Sequence, residues 1–439
     1  MYSQKIIKVG LRLIALALVV LMISVMTIGC GSKTSTETKP NQDEPQKKLS
    51  KENSAVSNEQ GLHKLTQKDI EEIFQAGVSG IYQDKTMNEA IKAASPADVA
   101  LTEEEKQKIR DMKLEIAVET NHMDDAFKWQ LGGLKDTAKD LGITIKDVWM
   151  ASDTSNMSQL EDYQRIESIA QNYDAIFTLP MDVAATSEIL KKIMKKTDLV
   201  TLCSAPYDID WNDPNFGGIV DADGYLAGVY SAKAAIKILN GQGKLGVVGF
   251  VGGREGSFHT VQERYRGWND VFKENPDVEI VQKWFDDPSK AGDVVSSMLA
   301  SNPDIKVVLI DWANPPANQA ETVFKQRGMK PGKDIAMVTI DLDNTVAVPM
   351  AINGPESYTA AFVTQTWYNV GKLWGEMYAK HVLYGNKAPK YVVSPPLPLT
   401  TPENLKTHYT KAVPEDYPIP PEISKLTDQW PLGVEDQWK

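Results

Sequence analysis

The sequence has few of the residues that build metal sites, disulfide frameworks and nucleic-acid interfaces. It contains 2 cysteines and 5 histidines in 439 residues, which excludes a disulfide-stapled fold and argues against a Cys/His metal site. Basic residues are also in deficit, because 47 lysines and arginines face 59 aspartates and glutamates and the formal net charge is −12. A surface of that sign repels phosphate backbones. We therefore expect no metal, no cofactor and no nucleic-acid partner.

The length and composition indicate a globular protein with more than one core. The chain is 42% hydrophobic and 24% charged, which is ordinary for folded proteins and excludes a wholly disordered or collagen-like chain. Its length exceeds what one hydrophobic core normally holds. We therefore expect at least two domains.

The amino terminus has the pattern of a secretory signal. Basic residues precede an apolar run over residues 13–26, which is too short for a comfortable membrane span. The segment ends in Thr27-Ile28-Gly29-Cys30, and small residues before a cysteine at this place resemble the lipobox of bacterial lipoproteins. The resemblance implies that residues 1–29 are a signal peptide and that Cys30 carries the lipid. A plain secretory signal with an incidental cysteine is the alternative.

The next segments are polar and then helical in pattern. Residues 30–60 have almost no apolar side chains, so we expect a disordered tether that holds the protein to the outer face of the cell membrane. Residues 61–112 are predicted to be an accessory helical segment. Thr66 and Thr102 stand where a threonine caps a helix, with an acid nearby.

From Lys113 onwards, short apolar runs alternate with amphipathic stretches of helical period. Runs rich in β-branched residues recur at residues 175–179, 307–310 and 336–340, and helical stretches lie between such runs, as at residues 184–195 and 224–239. Sustained alternation predicts an α/β fold whose parallel sheets are covered by helices on both faces. The number of strands suits two doubly wound lobes better than one.

Polar and aromatic side chains gather where the predicted strands end, which is where ligands bind in such folds. These residues include Asp124, Phe127, Trp129, Cys203, Ser204, Arg264, Asp311, Trp312, Asn314, Asp341 and Gln365. Carboxylates, amides and arginine hydrogen-bond vicinal hydroxyls in pairs, and the C–H faces of a sugar ring stack on aromatic rings. The mixture is typical of a sugar site.

The order of these motifs resembles that of the type I periplasmic sugar-binding proteins, the ribose-binding-like group that serves ABC importers. The similarity runs from about Lys113 to Thr400, and includes the helix motif at Arg264 to Trp268 and the strand end at Asp341. It implies two doubly wound parallel-sheet lobes joined by a three-strand hinge, behind an N-terminal helical extension. The implied N-terminal lobe comprises residues 113–220 and 366–392, the C-terminal lobe residues 221–365 and 393–400, and a C-terminal extension residues 401–439.

The resemblance implies a ligand-binding role for several of these residues. Phe127 falls at the aromatic that covers one sugar face, with Trp129 beside it. Arg264 matches the arginine that donates two hydrogen bonds, Asp341 the carboxylate that accepts from hydroxyls, and Gln365 the amide near the hinge.

Two positions of the implied site remain open in register. Trp284, Phe285 and Asp286 together cover the place of a second stacking aromatic, and Trp284 represents it in the predicted set. Asp311, Trp312 and Asn314 likewise cover the place where the family has an asparagine. Asp124, Cys203 and Ser204 complete the ligand-binding residues that we predict.

Cys203 and Ser204 depart from the family pattern. Many members have an Asp-Arg pair at this place, so a charged clamp is replaced by two small, weakly polar groups. The change leaves room for an apolar substituent of the ligand, and it weakens the hydrogen bonds that this part of the site can form with ligand hydroxyls. We therefore expect a pentose other than ribose or a deoxyhexose, with rhamnose as the first candidate.

The predicted function is that of a binding protein and not of an enzyme. We expect a monomeric, lipid-anchored, extracytoplasmic receptor that closes its lobes around a monosaccharide and presents it to an ABC permease in the membrane. A sensory subunit for a membrane histidine kinase is the alternative with the same fold. A secreted glycoside hydrolase is the less favoured alternative, with Asp341 and Asp343 as the nearest carboxylate pair.

Overall fold

The computed structural model describes residues 61–120, 124–151 and 156–430. The predicted signal peptide, the lipid attachment at Cys30 and the predicted tether lie outside the described residues. Among the helices that are described, none combines the length and the hydropathy that crossing a membrane requires.

The segment before the first lobe is only partly helical. Its elements are α1 (Gln67–Ile73), β1 (Ile81–Tyr82), β2 (Ile91–Lys92), α2 (Pro96–Val99) and α3 (Glu103–Met112). The two predicted threonine caps are confirmed, because Thr66 and Thr102 each cap a helix and each forms a reciprocal capping box with the acid three residues later. The antiparallel pairing of β1 with β2 corrects the purely helical prediction.

The first lobe follows directly and alternates strands with helices, as predicted. Its elements are β3 (Glu115–Thr120), α4 (Asp125–Asp140), β4 (Thr144–Met150), α5 (Asn156–Ile169), β5 (Ala175–Thr178), α6 (Val183–Met194), β6 (Asp198–Leu202) and β7 (Phe216–Ala222).

The chain then crosses into the second lobe. That lobe contains α7 (Gly224–Ile238), β8 (Gly243–Phe250), α8 (Val251–Glu255), α9 (His259–Glu274), β9 (Val278–Phe285), α10 (Ala291–Ser301), β10 (Val307–Ile310), α11 (Asn318–Gln326), β11 (Ala336–Ile340), α12 (Asn344–Asn353) and β12 (Thr359–Val363).

The chain returns to the first lobe before it ends. The returning elements are α13 (Trp367–Tyr384) and β13 (Tyr391–Ser394), and a C-terminal segment follows with α14 (Leu405–Ala412) and α15 (Pro421–Ser424). Short single turns lie at Ala170–Asn172, Pro288–Lys290, Ala313–Ala317, Gly354–Glu356 and Gly385–Lys387.

Each lobe is built on one parallel sheet. The six-stranded sheet has the order β13-β7-β6-β5-β3-β4, and the five-stranded sheet the order β12-β11-β10-β8-β9. Every pairing within these two sheets is parallel. Central strands such as β5, β10 and β11 are buried along their whole length, because helices cover both faces. The predicted fold class is confirmed.

Three crossovers join the lobes and form the hinge. The first leads from β7 to α7, the second from β12 to α13, and the third from β13 to Thr400, whose backbone pairs with Phe362. The crossovers are hydrogen-bonded to one another: the hydroxyls of Thr364 and Thr400 lie 2.7 Å apart, and Asp223 N donates to the carbonyl oxygen of Ser394 at 2.9 Å.

The N-terminal segment runs across this hinge and contacts both lobes. His63 N donates to the carbonyl oxygen of Ile238, at the end of α7, at 2.9 Å. Ser79 N donates to Asp223 Oδ2 at 2.7 Å. Ala94 N then donates to the carbonyl oxygen of Tyr391 at 2.9 Å, which adds a bridge to the β13 edge of the first sheet.

Candidate functional site

A cavity of about 500 Å³ lies between the lobes, at the carboxyl ends of both sheets. Five aromatic rings line it, namely Phe127, Phe250, Phe258, Trp312 and Trp367. Its charged residues are Asp124, Asp182, Arg264, Asp286, Asp287 and Asp341. The cavity therefore combines apolar ring faces with groups that donate to and accept from hydroxyls.

Seven of the twelve predicted ligand-binding residues line this cavity. They are Asp124, Phe127, Cys203, Arg264, Trp312, Asn314 and Asp341. They come from five separate stretches of the chain, and the parallel topology brings them together because it places the carboxyl ends of the strands at one edge of each sheet.

Three of these residues have a positive φ at the end of a strand or close to it. Cys203 directly follows β6 with φ of 63°, Asp341 directly follows β11 with φ of 78°, and Trp312 lies two residues after β10 with φ of 29°. Residues other than glycine rarely adopt a positive φ, and such strain concentrates at functional sites. The backbone at these strand ends thus departs from its preferred conformation in the wall of the cavity.

Asp124 and Phe127 are positioned by the start of α4. Asp124 is the N-cap of this helix, and its Oδ1 accepts from Phe127 N at 2.8 Å. An aspartate is favoured there because it satisfies a helix N–H and meets the positive end of the helix dipole. The capping interaction fixes both side chains relative to the cleft.

Arg264 is held rigidly in α9 and is 2% exposed. Its Nη1 forms an ion pair with Asp311, and its Nη2 donates to Gln365 Oε1 at 3.3 Å. The Tyr265 hydroxyl also donates to Asp311. Burial disfavours the guanidinium charge, but the Asp311 and Asp341 carboxylates outweigh burial and raise the pKa of Arg264. The arginine therefore stays charged although it is buried.

Two donors of this network lack an acceptor within the described part of the chain. Arg264 Nε and Gln365 Nε2 are both buried and unpaired there. Buried polar groups are normally hydrogen-bonded, so unpaired ones need an explanation. A ligand oxygen or a water would satisfy them.

Asp341 is, with Asp311, one of the two carboxylates that raise the pKa of Arg264. Trp367 Nε1 donates to its Oδ1 at 3.0 Å. Burial raises the pKa of Asp341 to about 6, although Arg264 and the Trp367 hydrogen bond oppose that effect. The group therefore changes its charge close to neutral pH.

Cys203 presents a sulfur atom whose hydrogen-bonding partners lie within the protein. Burial raises the pKa of the thiol well above its usual range, and the thiol interacts with Asp221 and Thr260. Thr260 Oγ1 donates to both carboxylate oxygens of Asp221, at 2.8 and 2.7 Å. Burial also raises the pKa of Asp221. This wall of the cavity is therefore weakly polar.

The described residues contain no group of three or more histidine, cysteine or acidic side chains arranged to hold a metal ion. The chemistry that the cavity offers is hydrogen bonding and ring stacking.

Comparison with known proteins places this geometry in a family. The model of the periplasmic binding protein domain matches residues 116–348, which is more than half of the chain. The chain belongs to the periplasmic binding protein family. Its two lobes and three crossovers have the type I arrangement, so the resemblance drawn from the strand-end motifs is confirmed.

Solved structures of sugar-binding and solute-binding proteins share this fold. A glucose-galactose binding protein from Geobacillus stearothermophilus matches with a TM-score of 0.57 at 18% identity, covering 66% of this chain and 98% of that one. A solute-binding protein from Burkholderia graminis in complex with D-arabinose gives 0.55 at 17%, covering 66% and 96%. A solute-binding protein from Agrobacterium vitis bound with α-D-tagatopyranose gives 0.56 at 20%, covering 67% and 96%. No curated protein matches this chain.

Trp129 does not reach the cleft of this periplasmic binding protein, contrary to the prediction. It lies two residues after Phe127 in α4, which rotates it by about 200° around the helix. Its ring is 1% exposed and packs edge-on against Tyr409 and Tyr417, at centroid distances of 6.4 and 5.7 Å. The aromatic pair of the sequence is thus divided between the cleft and the core.

Trp284 and Ser204 are also absent from the cavity wall. Trp284 packs against Tyr265 with ring centroids 5.2 Å apart, and Asp286 lines the cavity instead. Ser204 is completely buried, and its Oγ accepts from His259 N in the other lobe at 3.0 Å. Ser204 joins the lobes and leaves Cys203 to face the cavity.

Asp311 and Gln365 stand behind the cavity and not in its wall. Both are completely buried and bind Arg264. Of the three residues that were open in register, Trp312 and Asn314 line the cavity. Asp311 and Gln365, which were predicted to contact the ligand, therefore hold the side chain of Arg264 in place.

Three cavity aromatics are missing from the predicted set. Phe250 ends β8, Trp367 begins α13 after a crossover, and Phe258 caps α9. The strand-end rule points to Phe250 and Trp367. No sequence signal identifies Phe258, because its position depends on the turn between α8 and α9.

Proposed function

We propose that this protein captures a monosaccharide between its lobes and delivers it to an ABC permease. The observation that carries the proposal is the cavity beside the three-crossover hinge, lined by aromatic rings, Asp341 and a buried Arg264. A ligand that contacts both lobes favours their closed arrangement, because only that arrangement offers both sets of contacts.

The lining suits the two kinds of surface that a sugar presents. Aromatic rings stack on the apolar C–H face, and Trp312 lies edge-on to Phe250 with ring centroids 5.5 Å apart. Asp341 accepts from hydroxyls, and the unpaired Nε of Arg264, a residue of the cavity wall, accommodates a ligand oxygen. The sugars named for the proteins from Burkholderia graminis and Agrobacterium vitis support the same class of ligand.

The proposed ligand is a deoxyhexose or a pentose other than ribose, with L-rhamnose as the first candidate. The Cys203 thiol is engaged with Asp221 and Thr260, so this wall offers little to a hydroxyl. A methyl group in its place leaves no buried polar atom unpaired.

The proposed receptor acts at the outer face of the cell membrane. Lipid at Cys30 anchors a monomer at the outer face of the cell membrane, where two acyl chains hold it firmly. The protein binds its ligand and does not convert it, since the described cavity is built for recognition by hydrogen bonds and stacking.

A thermal-shift screen against a panel of monosaccharides tests the function. A sugar at one hundred times its Kd stabilises the folded state by about 2.7 kcal/mol. Trp312→Leu should weaken the best sugar by about tenfold through lost stacking, while Trp149→Leu, in an edge strand remote from the cleft, should not. A panel in which no sugar raises the melting temperature refutes the proposal, and turnover of labelled glycosides shows an enzyme instead.

A further inference from the structure

We propose that the C-terminal segment, residues 401–430, is a clasp that holds the two lobes together at the rim of the cleft through Asn344. The residues that form the clasp, Asp125, Asn344 and Tyr409, do not line the cavity. Its effect on ligand release rests on the proposed function, whereas its effect on lobe separation does not.

The centre of the clasp is the side-chain amide of Asn344, the first residue of α12 in the second lobe. Its Nδ2 donates to Asp125 Oδ2 at 3.1 Å, and Asp125 is the first residue of α4 in the first lobe. Its Oδ1 accepts from the hydroxyl of Tyr409 at 2.9 Å, and Tyr409 lies in α14 of the C-terminal segment. One amide thus joins both lobes and the segment.

The C-terminal segment is anchored on the first lobe by aromatic packing. Tyr409 is completely buried, and the rings of Tyr409 and Tyr417 both lie edge-on to Trp129 of α4. Pro414 lies over Gly132 one turn further along the same helix. Trp129, which the sequence suggests as a ligand contact, is therefore the docking point of the segment.

The same segment is attached to the hinge and to the second lobe. His408 Nδ1 and Thr400 Oγ1, at the third crossover, are 2.6 Å apart, and α15 packs against α12. The solved structures of the same fold are covered almost completely, yet each match leaves about a third of this chain uncovered.

Opening the cleft breaks this arrangement. Asn344 and Asp125 belong to different lobes, so their hydrogen bond is lost when the rim separates. Tyr409 must then leave either Asn344 or Trp129. The clasp consequently stabilises the closed state relative to the open one in the absence of ligand, and a bound ligand that leaves through the rim leaves more slowly.

Distance measurements on the ligand-free full-length protein test the clasp directly. Spin labels at Lys192→Cys in α6 and Gln326→Cys in α11 report the separation of the lobes from exposed positions. Tyr409→Phe removes the hydroxyl that binds Asn344, and Asn344→Ala removes both hydrogen bonds. We expect a broader and longer distance distribution in Tyr409→Phe and a larger change in Asn344→Ala. Tyr384→Phe removes a hydroxyl bonded to Glu105 on the far side of the first lobe and serves as the matched control.

Stopped-flow binding of L-rhamnose, followed by tryptophan fluorescence, supplies the second readout. Loss of one hydrogen bond should raise the dissociation rate of Tyr409→Phe by about fivefold. The association rate should not fall, because the open state is more populated in this variant, and the control should be unaffected. Distance distributions that are identical in all variants overturn the clasp, as does an unchanged dissociation rate. If the unmodified protein binds no sugar, the proposed function fails, and the distance measurement still decides the clasp.

Discussion

Asp341 should make ligand binding depend on pH near neutrality. Its carboxylate lines the cavity, and burial raises its pKa to about 6. The ionised form accepts hydrogen bonds from hydroxyls. With this pKa, about one tenth of the molecules are ionised at pH 5 and nearly all are ionised at pH 7.5. The apparent Kd should therefore fall by about tenfold over that interval, because only the ionised fraction is competent to bind.

Calorimetry with L-rhamnose between pH 5 and pH 8 measures this dependence. Below pH 6, binding should release close to one proton, which titrations in two buffers of different ionisation enthalpy detect. Asp341→Asn should bind more weakly with a Kd that does not change with pH. A constant Kd in the unmodified protein refutes the reasoning. A slope that persists in Asp341→Asn assigns the titration to another group, such as Glu119, whose pKa burial raises to about 7.

The stability of the ligand-free protein should change in the opposite direction. A carboxyl group with a raised pKa binds its proton more tightly in the folded than in the unfolded state, so its contribution to stability is lost as the pH rises. For Asp341 the loss falls between pH 3.8 and about 6. The difference between the two pKa values limits this loss to about 3 kcal/mol, and the partial exposure of the side chain to the cleft makes it smaller. Ligand binding, which is expected to become tighter as the pH rises, opposes this loss of folding stability.

Three further predictions concern the support of the site, a buried acid and the anchor. Asp311→Asn should lower the free energy of unfolding by about 3 kcal/mol in urea, because Arg264 stays buried without its countercharge; a loss no larger than that of the surface control Asp304→Asn contradicts this. Glu119→Gln should be more stable than the unmodified protein at pH 8, by up to about 3 kcal/mol, and equal to it near pH 4, because the raised pKa makes ionised Glu119 costly only above pH 4.5; a less stable variant at pH 8 would show that the carboxylate is well paired. Cys30→Ser should shift the protein from the detergent to the aqueous phase with its sugar affinity unaltered, and persistent detergent partitioning would exclude the lipid.

Much of the architecture can be predicted from the amino-acid sequence. The strand β4 and the hairpin of β1 and β2 are not predicted, because their hydrophobic patterns are weak or too short. Strands buried on both faces, such as β5 and β10, consist of continuous apolar runs, and these runs predict the strands. The edge strand β4 alternates between exposed and half-buried residues, so its pattern is weaker and it was not predicted. The hairpin of β1 and β2 has two residues in each strand, which is too short for a period to appear.

The covalent order of residues determined the α/β class, the two lobes and the positions of the strand ends, because these follow from local hydrophobic periodicity and from the rule that parallel strands end at one edge. The direction and the partner of each side chain were decided by the tertiary structure. Phe127 and Trp129 differ by two helical positions, and only the packing of α4 shows that one enters the cleft and the other docks the C-terminal segment. Arg264 and Asp311 are far apart in the chain, and only folding pairs the two buried charges. The energy of a buried charge depends on its neighbours in space, which the order of residues does not give.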